Sequence, residues 1–129
     1  MDVLTIETAA IAPVFYDWGA LKWIVNDAIA NRSAQSFGVV YVQPGKTNPM
    51  HWHTRAQEIV HMLQGECEFR TDDGTVMLGP GQTLYIPCGT RHELTNRSWQ
   101  PVVYVASFSA SDRGTLFEDP ELPGVNPLY

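Results

Sequence analysis

A chain of 129 residues can bury one core and is too short for two, so a single domain over residues 1–129 is expected. Hydrophobic residues at 44% and charged residues at 17% fit a soluble globular protein, and no run approaches the roughly 18 apolar residues of a membrane span. A net charge of −6 with no basic cluster excludes nucleic acid and anionic membranes as partners.

The opening Met1-Asp2 is acidic and lacks a basic stretch followed by a sustained apolar run, which predicts a cytoplasmic chain. Residues 1–19 are punctuated by Pro13 and Gly19 and form an N-terminal arm or edge strand. Residues 20–26 are a strand with Leu21, Trp23 and Val25 on one face. After a polar loop, residues 37–43 (FGVVYVQ) are a strand that is apolar on both faces and ends at Pro44-Gly45. Residues 66–71 alternate cleanly, Asp72-Asp73-Gly74 signals a hairpin, and 75–78 return from it. Residues 83–87, 92–95 and 101–109 supply the last strands. Residues 112–129 contain Pro120, Pro123 and Pro127 and are expected to be an irregular C-terminal tail. Many short strands separated by Gly, Pro and Asp turns predict an all-β antiparallel barrel of the jelly-roll kind, spanning 20–111. Cys67 and Cys88 are too few for a disulfide framework.

The stretch 45–65 (GKTNPMHWHTRAQEIVHMLQG) carries the chemistry. On a strand, alternate residues share a face, so His51 and His53 can reach one point while Trp52 turns away. Glu58 breaks that parity, so Thr54, Arg55 and Ala56 must form a turn that re-aims the returning strand. From there Glu58, Val60 and Met62 share one face, and Ile59, His61 and Leu63 the other. Two neutral imidazoles and a carboxylate suit a divalent ion such as iron, manganese, nickel, cobalt or zinc. On these residues alone, the histidine pair could equally be solvated at a strand end and Glu58 a surface carboxylate.

The first stretch fits G-x5-H-x-H-x4-E-x6-G. A second, 81–96 (GQTLYIPCGTRHELTN), fits G-x5-P-x-G-x2-H-x3-N. In all ten defined residues the chain resembles the two signature motifs of the cupin superfamily, over residues 45–96. The resemblance implies a cupin-type double-stranded β-helix with one divalent metal ion per chain. It implies ligation by His51, His53, Glu58 and His92, with coordination positions left for water or substrate. Gln57 stands where many relatives carry a second acid, so no back-up carboxylate is available there. His61 faces away from Glu58 and is expected to be a packed or interface histidine.

Val60, Met62 and Leu94 share the ligands' parity and should line an apolar substrate pocket. Tyr41, Tyr85 and Tyr104 lie on strands that flank the cavity. Most buried tyrosines are core residues with a satisfied hydroxyl, but Tyr41 and Tyr104 are candidate acid–base groups. The resemblance implies a metal-dependent enzyme acting on a small molecule, with a dioxygenase first and a lyase, isomerase or cyclase next. A non-catalytic metal-containing ligand-binding protein is the next class, and a structural role, as in seed-storage relatives, comes last because those chains usually lose the metal ligands kept here. Edge strands and the apolar arm (Val3, Leu4, Ile6, Val14, Phe15) predict a homodimer.

Overall fold

The computed structural model describes residues 3–30 and 33–121, and the expected irregularity beyond residue 121 lies outside the described residues. The strands are β1 (Val14–Tyr16), β2 (Gly19–Val25), β3 (Ser36–Val42), β4 (Thr47–His53), β5 (Glu58–Gln64), β6 (Cys67–Thr71), β7 (Gly74–Leu78), β8 (Thr83–Ile86), β9 (His92–Thr95), β10 (Val102–Phe108) and β11 (Thr115–Phe117). One 3-10 turn, Thr8–Ala10, precedes them.

They form two sheets, ordered β1-β2-β3-β10-β5-β8 and β11-β4-β9-β6-β7, with every pairing antiparallel. This is the all-β jelly-roll architecture expected from the strand and turn spacing. Alternation places Val40 and Val42 of β3, Val60 and Met62 of β5, and Leu94 of β9 in one shared core. The same alternation leaves Ile59 and Leu63 about half exposed.

Two local expectations change. In β2 the register against β3 shifts between Trp23 and Val25, so Ile24 is buried and Val25 is only half-buried. The segment 112–129, expected to be irregular, supplies β11, which pairs with β4 through Thr115↔His53, Leu116↔Trp52 and Phe117↔His51.

The two motif stretches also hold each other. Gly45 N–H donates to the Asn96 carbonyl at 2.7 Å, and Asn96 N–H to the Lys46 carbonyl at 2.9 Å. The buried Asn96 side chain donates to the carbonyls of Val42 (3.0 Å) and Gln100 (2.7 Å) and accepts from Ser98 N–H (2.9 Å). Gly65 ends β5 with φ near 80°, and a Cβ there would lie 2.8 Å from the Pro101 carbonyl oxygen. Gly45 has a similar φ of 77° but open space around it. Gly45→Ala should therefore cost only the left-handed backbone term, about 1 kcal/mol. Gly65→Ala adds a backbone clash and should cost about 3 kcal/mol. Chemical denaturation of both variants checks the order, and equal losses would contradict this packing of Gly65 on Pro101.

Candidate metal centre

The centre begins with Pro49. It has no N–H to give the ladder, and the β4–β9 register shifts between Asn48 and His51. An odd spacing would otherwise put Asn48 and His51 on opposite faces. With the shift, Asn48, His51 and His53 are all buried. Glu58 opens β5, where its Cα partners are Phe108 and Ile86. His92 opens β9 opposite His51, after a turn in which Gly89 N–H donates to the His53 carbonyl at 2.8 Å.

The outer nitrogen of each ring is engaged. His51 Nδ1 lies 2.6 Å from the Pro49 carbonyl oxygen and His92 Nδ1 2.8 Å from that of Thr90. A carbonyl only accepts, so in the neutral rings Nδ1 carries the proton and Nε2 keeps its lone pair. His53 Nδ1 lies 2.8 Å from the Thr115 hydroxyl. On the inner side, Nε2 of His53 and Nε2 of His92 each lie 3.3 Å from Glu58 Oε1. One donor atom from each of the four residues falls within 4.8 Å of the others. Two ligands at right angles on one ion, each at about 2.1 Å, would be about 3.0 Å apart. The buried set of three imidazoles and a carboxylate therefore fits a single divalent ion. One phenylalanine backs each ring: Phe117 at 5.5 Å from His51, Phe108 at 4.9 Å from His53, and Phe69 at 5.6 Å from His92.

Burial alone would raise the Glu58 pKa, but hydrogen bonds and positive charge from His53 and His92 outweigh it and hold the carboxyl well below its usual range. Burial pushes His51 well below an ordinary histidine, and the neighbouring His92 and His53 push the same way. For His92, burial acts downward, but the hydrogen bond and charge of Glu58 prevail and raise it.

The other expected residues divide. Val60, Met62 and Leu94 point inward from the ligand-bearing faces and are buried in the core. Tyr104 also points inward, and its hydroxyl accepts a hydrogen bond from Asn48 Nδ2 at 3.1 Å. Asn48 pairs with Leu94, two residues beyond His92, so this pair sits about 7 Å along β9 from the ligand level. Tyr41 requires correction as an acid–base candidate: it lies on the face of β3 opposite the buried Val40 and Val42, directed away from the ligands. Tyr85 is 62% exposed and donates to Gln57 Oε1. His61 lies on the outer face, with Nδ1 2.8 Å from the Thr83 hydroxyl. Sequence reasoning missed Asn48, Thr115 and Phe117. Pro49 was the available signal for the first, and nothing local marked the other two.

Wild-type protein should bind one divalent ion per chain, and the double variant His51→Ala/His92→Ala should retain none by elemental analysis. Free ion at a hundredfold its dissociation constant should stabilise the wild type by about 2.7 kcal/mol, and the variant not at all. Protons compete for the ligand nitrogens, so metal content should fall as the pH is lowered through the histidine range. Metal retained in full by the double variant would refute the assignment.

The comparisons with known proteins agree with this geometry. The family model described as "Cupin domain" matches residues 38–108. Germin-like protein 3-8 of Oryza sativa subsp. japonica is 32% identical over 105 residues, covering 72% of this chain and 47% of that one. Tetracenomycin polyketide synthase protein TcmJ of Streptomyces glaucescens is 21% identical over 104 residues, covering 81% of this chain and 70% of TcmJ. A solved structure of recombinant oxalate oxidase in complex with glycolate superposes with a TM-score of 0.75 at 25% identity, covering 88% of this chain and 62% of that one. The chain spans between 36% and 47% of the length of the plant relatives it matches first. Among the described residues no helix is long and apolar enough to cross a membrane. A family model matched over more than half the chain, and both motifs closing on one buried donor set, place the chain in the cupin family.

Proposed function

We propose that the chain is a mononuclear-metal enzyme acting on a small organic molecule that chelates through adjacent oxygens, and that its reaction is a dioxygenation. The observation that carries the reading is the donor set itself. Four buried side chains, three of them imidazoles held by their outer nitrogens, would hold an ion and leave coordination positions for a substrate. A bound ion would supply Lewis acidity and, where redox-active, a path by which the substrate's own electrons pass to oxygen. Glu58 offsets part of its charge. Val60, Met62 and Leu94 exclude water from the interior beside it, and the Tyr104 hydroxyl, held by Asn48, is the inward group able to carry a proton. Likeness to an oxalate oxidase that binds glycolate, a compact molecule with adjacent oxygens, supports this substrate class.

Similarity to the polyketide synthase protein TcmJ over 70% of its length favours a second reading. In it the same site polarises an enol or phenol for proton abstraction, as a lyase, isomerase or cyclase. Iron-loaded protein should consume oxygen with an enolic or catecholic substrate and place label from 18O2 in the product. Glu58→Ala should reduce that rate at least tenfold. Turnover that continues unchanged without oxygen would select the second reading, and tight ligand binding without turnover across several metals a binding protein.

The proposal includes a homodimer. Val3 (96%), Leu4 (59%) and Phe15 (75%) of the arm are exposed, and β1 is a sheet edge. Light scattering at micromolar protein should give twice the chain mass, and a monomer would refute it.

A further inference from the structure

Two of the three histidines are held from behind by backbone carbonyls, which no substitution removes. His53 is held instead by a side chain, the Thr115 hydroxyl, from a strand 62 residues later. Thr115 lies beyond the residues 38–108 that match the family model, so this contact is not part of the matched domain.

The segment around Thr115 is built to bring it there. Thr54 N–H and Arg55 N–H donate to the carbonyls of Gly114 and Arg113, each at 3.0 Å, and the Thr54 hydroxyl donates to Gly114 O at 2.9 Å. Gly114 has φ 61°, and a Cβ there would lie 2.2 Å from Thr54 Oγ1, so the Thr54 side chain packs where only a glycine leaves room. Beyond Thr115, Glu118 N–H donates to the Met50 carbonyl at 3.0 Å. Thr115 is thus pinned on both sides as the register partner of His53.

We infer that Thr115 is the positioning residue of His53: its hydroxyl accepts the Nδ1 proton, which fixes the ring's tautomer and aims Nε2 at the position shared with His51, Glu58 and His92. The inference rests on the metal-centre reading above. A hydroxyl differs from a carbonyl in that it can also donate. Without an ion it can serve the other tautomer, in which Nε2–H points toward Glu58 Oε1, 3.3 Å away. An ion at the centre selects the tautomer with the proton on Nδ1.

Thr115→Val keeps the shape and the β-branch and removes the acceptor. Thr115→Ser restores the hydroxyl. Leu116→Ala changes the half-exposed neighbour on the other face of the same strand and serves as the folding control. The probes are zinc affinity by competition with a chelator, the visible spectrum of the cobalt-substituted protein, and the 15N shifts of the His53 ring. Thr115→Val should weaken zinc binding by about 10- to 100-fold, the usual effect of removing an outer hydrogen bond from a ligand. It should also alter the cobalt spectrum, while Thr115→Ser and Leu116→Ala stay near wild type. Thr115→Val with wild-type affinity and spectrum would overturn the inference and leave the metal centre standing. Equal loss in Leu116→Ala would overturn it too, as a general effect of disturbing β11. Wild-type protein that binds no divalent ion would overturn the metal centre and this inference together.

Discussion

The structure depends on a buried carboxylate. Glu58 is 3% exposed, and an ionised group taken out of water costs several kcal/mol unless charge and hydrogen bonds replace its hydration. His53 and His92 approach the same oxygen, and a divalent ion would add the remaining positive charge. That arrangement tolerates little error, because a one-residue slip of any strand would turn its ligand to the opposite face. The registers of β4 with β9 and of β5 with β8 and β10 are therefore as much a part of the site as the side chains.

Much of the rest of the two motifs serves those registers. Asn96 stands at the far end of β9, where it ties Val42, Gln100 and Ser98 and exchanges backbone hydrogen bonds with Gly45 and Lys46. The ligand ends of β4 and β9 meet at His51 and His92, while their other ends meet at Thr47 and Thr95. Between them the ladder is interrupted at Pro49, whose carbonyl then receives the His51 ring proton. The irregularity both aligns Asn48 with the ligands and supplies an outer hydrogen bond. Regular pairing on either side of it holds the irregular part in place.

How much of this the sequence disclosed follows from the physics of each feature. Strand alternation placed Glu58, Val60 and Met62 together correctly, because β5 is buried on one face only. β3 offers no such contrast: Val39, Val40, Tyr41 and Val42 are all bulky and apolar or aromatic, so nothing local indicated that Tyr41 faces outward. The shift in β2 that buries Ile24 likewise depends on its partner strand. β11 is three residues long between polar turns, and it exists as a strand through its pairing with β4 rather than through its own composition. Thr115 was hidden for the same reason, since its role depends on which strand it meets.

The ligand set determines where an ion would sit, and the interior beside it determines what else a substrate would meet. The inward positions of β4, β5, β9 and β10 carry no lysine or arginine among the described residues. Apart from the ligands their polar groups are the neutral Asn48 and Tyr104, joined to each other. Arg113, a buried cation, lies outside those strands, with its guanidinium 3.8 Å from the centre of the Trp23 ring and 5.3 Å from that of Phe108. The proposed substrate would meet its negative charge mainly at the ion, because Val60, Met62 and Leu94 fill the interior beside the ligands as packed core. Such a balance suits the proposed substrate, a small molecule that chelates through adjacent oxygens. It opposes a phosphate ester, whose further charges would be buried without partners.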